Sequence, residues 1–219
     1  MNQIMKDGSV SESHVSALPR RERDRLQRRK DILHAAERVF GEKGFHTASI
    51  EEIAKAAEYA TGTIYLYFKD KDTLYRELFE QKIQELFDFI QARIGDDKDP
   101  IAALKRLIHA RMEFFQQNSA FFQVYWRERL DLRNDGASGK WGCVFRTYEQ
   151  YVDLLAQLMK AGQRKGLIRK GDPRDLAVAL SGMMIQLTRD WLRRDTERKL
   201  TDEADFVAEL FLCGAKQHK

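Results

Sequence analysis

Residues 60–71, ATGTIYLYFKDK, put two threonines, a glycine and three aromatics on one short helical segment, with lysines directly after them. The hydroxyls of Thr61, Thr63, Tyr65 and Tyr67 can meet phosphate oxygens or base edges. Gly62 removes the side chain that would hold a partner away, and Lys71 adds charge at the end. The stretch before it, SIEEIAKAAEY, begins with Ser49 and Glu52 in capping-box spacing, so a first short helix is expected at about 49–57. A second follows at about 61–68. Two short helices joined by a tight turn form a helix-turn-helix, whose second helix enters the major groove. Ile50, Ile53, Ala54, Ala57, Ile64 and Phe68 would pack inward, leaving Thr61, Gly62, Thr63, Tyr65 and Tyr67 outward. Periodicity alone equally allows a small helical bundle that merely exposes its tyrosines.

Other residues with chemical potential are sparser. His109 and Glu113 stand four apart, a two-ligand metal face with no third ligand, so no metal is expected. Cys143 and Cys213 lack ligand-like or disulfide spacing, which points to a reducing cytoplasm. The sequence contains no HExxH, no G-x-S-x-G and no glycine-rich phosphate loop. In NDGASGK, Asn134 replaces the first glycine and Trp141 follows the lysine, so no enzyme activity and no cofactor are expected.

The elements that must position these residues are helical. Apolar residues recur at three- and four-residue intervals, first from about Arg23 to Gly41, with Gly44 as a stop. Asp70 can cap a long fourth helix through Leu74, Leu78, Ile83, Phe87 and Ile90. Asp99-Pro100 and Asp172-Pro173 are matching helix starts, and further helices are expected at about 99–117, 119–132, 140–165, 173–194 and 202–215. The reading is an all-α chain: a basic N-terminal arm at 1–24, a helix-turn-helix domain at 25–70 and a larger helical domain at 71–219.

Charge supports a polyanionic partner. Residues 1–30 hold eight Lys/Arg against four acids, which accounts for the whole net charge of +4. Such a run is either a solvated tail or an arm lying along phosphates. The longest uncharged runs, 114–126 and 176–188, have 13 residues each, too short for a membrane span.

The segment from Phe45 to Leu74, FHTASIEEIAKAAEYATGTIYLYFKDKDTL, resembles the DNA-binding region of the TetR family of bacterial transcriptional repressors. The resemblance implies an all-α homodimer on a palindromic operator, released by a small molecule bound to the C-terminal domain. It makes Thr61, Gly62 and Thr63 the groove-facing start of the recognition helix. Tyr65 and Lys71 become phosphate contacts with Tyr67 beside them, and Thr47 and Ser49 lie at the phosphate-facing start of the preceding helix. The sequence departs from the pattern twice. Glu58 stands where glycine is usual, implying a left-handed non-glycine residue. Ala60 replaces a capping serine, which shifts the expected cap to Thr61.

Residues 173–192 and Phe206, Val207, Leu210 and Phe211 carry more apolar surface than one intramolecular face buries, and the family places a dimerising four-helix bundle here. Between Met112 and Met159 aromatics are dense. Each one individually reads as core, but together they suit an apolar pocket. Candidate ligand contacts are Phe87, Arg111, Phe115, Phe122, Trp126, Tyr148, Tyr151 and Met184. Arg111 and Arg189 could meet a ligand carboxylate or simply reach solvent. Family members controlling fatty-acid breakdown look similar around GTIYLYFK, so a lipophilic effector is expected: a fatty acyl compound, or alternatively a flat aromatic drug or other lipophilic signal. The alternative is a DNA-binding protein whose C-terminal half only dimerises or recruits a protein partner.

Overall fold

The computed structural model describes residues 18–95, 99–128, 142–194 and 197–215. Nine α-helices run through them: α1 (Arg20–Lys43), α2 (Ile50–Ala56), α3 (Thr61–Tyr67), α4 (Lys71–Ile94), α5 (Pro100–Gln117), α6 (Ser119–Glu128), α7 (Gly142–Arg164), α8 (Pro173–Arg193) and α9 (Glu203–Ala215). The chain divides into two compact units between Gln84 and Glu85. The boundary therefore falls within α4, not at residue 70 as the sequence pattern implied, because α4 buries apolar residues along its whole length. Residues 20–24 are the first turn of α1 and not part of an arm. Residues 1–17 of that arm and the NDGASGK segment lie outside the described residues.

In the N-terminal unit, α1 buries Ile32, Leu33, Ala35, Ala36, Val39 and Phe40. They close over Ile50, Ile53 and Ala54 of α2, Ile64 of α3, and Phe68. Leu74, Tyr75, Leu78 and Phe79 of α4 are buried too, and the Tyr75 ring meets Phe40 edge-on at 5.3 Å and Phe45 at 5.0 Å. Burying an aliphatic or aromatic side chain of this size contributes about 1.5–3 kcal/mol. Ion pairs frame this core: Arg29 with Glu77, and Lys82 with Glu37 at 2.9 Å.

The local signals explain each boundary. Ser49 Oγ accepts from the Glu52 amide at 3.2 Å, and Glu52 accepts from the Ser49 amide at 3.0 Å, completing the capping box. The Lys43 ammonium, then the Ser49 amide, hold the Glu52 carboxyl below the usual carboxylate range. Asp70 caps α4 by accepting from the Thr73 amide at 2.7 Å. Asp99 and Asp172 cap α5 and α8, each with proline just inside the helix. The cap of α3 does not move to Thr61: Ala60 occupies the position and supplies no side-chain bond. The helix ends at Tyr67, where Phe68 turns extended and drops into the core.

Glu58 has φ 60°, the only positive-φ non-glycine residue among those described. A left-handed L-residue costs roughly 1–2 kcal/mol, part of which glycine returns through its freer unfolded chain. Glu58→Gly is therefore expected to stabilise the fold by up to about 1 kcal/mol. Thermal unfolding of the two proteins checks this. A lower melting temperature for the variant would mean that the Glu58 side chain offsets its backbone strain.

In the C-terminal unit, α5 is the central helix, burying Ala103, Leu104, Leu107, Ile108, Ala110, Arg111, Met112, Phe114 and Phe115. It packs against α7, α8 and α9, and α7 lies along α8. Leu86, Phe87 and Ile90 from the end of α4 are buried as well, and Phe89 meets Phe114 at 5.7 Å. His109 pairs with Asp205 at 2.9 Å, while Glu113 pairs with Arg93. The two residues thus engage separate partners, and no cluster of metal-ligating side chains occurs among the described residues. None of the described helices is long and apolar enough to cross a membrane.

Candidate nucleic-acid interface

Residues of α3 succeed one another by 100° around its axis, so Thr61, Tyr65, Gly62 and Leu66 share an arc of about 140°. Ile64, on the far side, is fully buried. Tyr65 is 53% exposed and Leu66 78%. Thr61, Thr63 and Tyr67 are half-buried, which brings Tyr67 closer to the Ile64 side than the outward placement expected for it. Sequence reasoning assigned Leu66 to neither face, because it followed the hydroxyl-bearing residues of the segment. The signal was present in its phase: it stands four residues after Gly62 and two after Ile64.

Gly62 has an internal explanation neither in backbone nor in packing. A Cβ added there would meet nothing within 4 Å. A glycine within a helix costs up to about 0.5–1 kcal/mol relative to alanine, and nothing inside the protein calls for one here. Gly62→Ala is expected to raise stability by about that amount and to weaken DNA binding. A variant both more stable and equally tight on DNA would show that nothing approaches the helix at this point.

The turn that sets α3 is braced from α1. Tyr59 donates its hydroxyl to Asp31 at 2.9 Å, and burial, then that carboxylate, push the phenol up, keeping it a neutral donor. Arg38 reaches the Ala56 carbonyl at 3.4 Å. Thr47 is exposed and Ser49 half-buried ahead of α2; the Ser49 oxygen is used in the cap, while its hydroxyl proton remains available.

Lys71 departs from its expected role. Its ammonium donates to the carbonyls of Phe45 at 2.8 Å, His46 at 3.2 Å and Ala48 at 2.9 Å, and lies 4.7 Å from the Phe45 ring centroid. All three N–H donors are spent on the loop between α1 and α2. Lys71 shapes the loop that carries Thr47 and Ser49, in place of reaching outward to a phosphate.

The expected ligand contacts fall in the C-terminal unit and are partly brought together. Phe115 and Phe122 stack at 4.0 Å with 19° between planes. The Arg111 guanidinium lies 4.4 Å from the Phe115 centroid and 5.6 Å from that of Tyr151, whose hydroxyl points to Met184 Sδ at 3.7 Å. Phe87 is buried on α4, whereas Trp126 and Tyr148 are half-buried on α6 and α7. An open groove of about 400 Å³ belongs instead to the N-terminal unit. It is lined by Gln27, Lys30, Asp31, His34, Arg38 and Glu58 with three alanines, and its charges of both signs suit no lipophilic molecule.

A helix-turn-helix with an exposed second helix, followed by a larger helical unit, is an architecture found in DNA-binding transcriptional regulators. Residues 32–78 match the bacterial regulatory proteins, tetR family, and residues 97–215 match the tetracyclin repressor-like C-terminal domain. The chain belongs to the TetR family. It is 27% identical over 184 residues to the fatty acid metabolism regulator protein of Bacillus subtilis (strain 168), covering 84% of this chain and 93% of the relative. Among solved structures it resembles the fatty acid degradation regulator FadR from Bacillus halodurans, with TM-score 0.75, 27% identity, and 87% and 97% of the two chains covered. It also resembles FadR from Bacillus subtilis in complex with stearoyl-CoA, with TM-score 0.71, 25% identity, and 84% and 98% covered.

Proposed function

We propose that this protein is a homodimeric, ligand-responsive repressor that binds a palindromic operator in the cytoplasm and leaves it when a lipophilic effector, an acyl compound, occupies the C-terminal unit. The observation that carries this reading is the coexistence of two exposed surfaces in one chain. One is the α3 face of Gly62, Tyr65 and Leu66. The other lies on α8 and α9, where Val178, Phe206 and Leu210 stand 40–54% exposed and Ala179 and Gly182 leave room for close helix approach. On the first surface, Leu66 offers an apolar contact for a thymine methyl, while Thr61 and Thr63 offer hydroxyls to base edges. Tyr65, Tyr67, Thr47 and Ser49 supply donors for phosphates. The second surface buries itself by pairing with a second copy, because a solvent-facing row of large apolar side chains is unfavourable. Support for an acyl effector comes from the relatives above, one of which regulates fatty acid metabolism and one of which is solved with stearoyl-CoA.

Two measurements test the reading. Footprinting on DNA flanking the protein's own gene should reveal one symmetric protected site. Titrating stearoyl-CoA or stearate with and without saturating operator should then give different affinities. Linkage requires operator to weaken the effector by the same factor as effector weakens operator, about 5–150-fold for ordinary coupling. Equal affinities in both titrations would leave the C-terminal unit as a dimerisation or protein-recruiting module only.

A further inference from the structure

The C-terminal unit keeps a charge where a hydrophobic core would be cheaper. Arg111 is 4% exposed, on the same buried side of α5 as Leu107, Ile108 and Phe115. Its neighbours are the Phe115 and Tyr151 rings and one hydroxyl, Thr188 Oγ1, at 3.4 Å. That hydroxyl already donates to the Met184 carbonyl at 2.8 Å, so it serves Arg111 only as a weak acceptor. A guanidinium has five N–H donors, and among the described residues no carboxylate answers them. Tyr151 does not supply the missing charge: burial pushes its phenol up and keeps it neutral. Burial likewise pushes the Arg111 guanidinium down from its ordinary value.

A second observation lies on the facing helix. Ser181, Met184 and Thr188 follow at helical spacing on the buried side of α8. The Ser181 hydroxyl is fully buried and has no hydrogen-bond partner among the described residues. Native interiors leave few polar groups unanswered, and buried charges are ordinarily paired. Here a guanidinium with one weak acceptor and a hydroxyl with no partner lie on packed helices of the same unit.

From this geometry we infer that Arg111 is the receptor for the anionic group of the effector, held between Phe115 and Tyr151, and that the effector is an amphiphile whose chain lies among the neighbouring aromatics. This rests on the effector reading proposed above. The fork of a guanidinium matches a carboxylate with two parallel hydrogen bonds, and a carboxylate is small enough for a fully buried partner. The two aromatic rings beside Arg111 offer its N–H donors no acceptor oxygen other than the Tyr151 phenol, which leaves those donors for an anion.

The test uses the full-length protein, stearate, stearyl alcohol and stearoyl-CoA, with Arg111→Met as variant. In the wild type an anionic probe should bind about 10- to 100-fold tighter than the alcohol, as expected for a charge-assisted pair. Arg111→Met should erase that preference while leaving alcohol binding unchanged, and Arg111→Lys should retain part of it. A preference for stearate identifies a carboxylate as the anion, and a preference for stearoyl-CoA alone identifies its phosphates. Without ligand, Arg111→Met should melt at or above the wild-type temperature, since an unpaired buried charge opposes folding. A lower melting temperature, or a preference that survives the substitution, would make Arg111 a structural residue and overturn the inference. Equal wild-type affinity for all three probes would overturn it too, while leaving the lipophilic-effector reading intact. Binding of none of them would remove that reading and this inference together.

Discussion

Replacing Tyr65 with phenylalanine should weaken operator binding by about 1.5–3 kcal/mol per half-site, and by about twice that for a dimer holding two half-sites. That is roughly two to four orders of magnitude in affinity. The ring is 53% exposed on α3 and survives the substitution, so only the hydroxyl is lost. Tyr65 lies outside the buried core, so the melting temperature should stay within the range of a neutral surface change. A phosphate contact carries no sequence information, so random DNA should lose affinity as well. Fluorescence anisotropy on operator and random duplexes separates the cases. A loss confined to the operator would mean that the hydroxyl reads a base, and unchanged affinity would remove Tyr65 from the interface.

Ile64→Ala should do the reverse, acting on the fold first. Ile64 is the one residue of α3 classed as buried, with 0% exposure. A seven-residue helix has no stability of its own, so it depends on the buried side chain that ties it to the rest of the unit. Truncating a buried isoleucine to alanine costs about 2–5 kcal/mol, a large share of the stability of a small domain. The denaturant midpoint should fall accordingly, and DNA binding should fail with it as α3 detaches. Normal stability in this variant would show that α3 is held by something other than its apolar face.

Much of this interface could be read in the residues themselves. The capping box at Ser49 and Glu52, the aspartate caps and the inward phase of Ile64 all follow from local rules, because each depends on neighbours within four positions, whereas the left-handed turn at Glu58 was implied only by the family resemblance. What escaped depends on distant chain. Lys71 looked available because its three acceptors lie 23 to 26 residues earlier, in a loop whose path no local pattern records. Arg111 could have snorkelled to solvent, and only the packing of α7 and α8 around α5 decides that it does not. Leu66 was passed over because sequence shows a side chain's polarity but not the partner it awaits. The division of the chain inside α4 was hidden for a related reason: one unbroken apolar period runs through both units and marks no boundary.

The Lys71 ammonium has a thermodynamic consequence. With the carbonyls of Phe45, His46 and Ala48 converging on it, the loop ahead of α2 is already folded when DNA arrives. Association then spends no ordering entropy on this segment. The heat capacity change of operator binding should therefore contain no contribution from folding of this loop on contact.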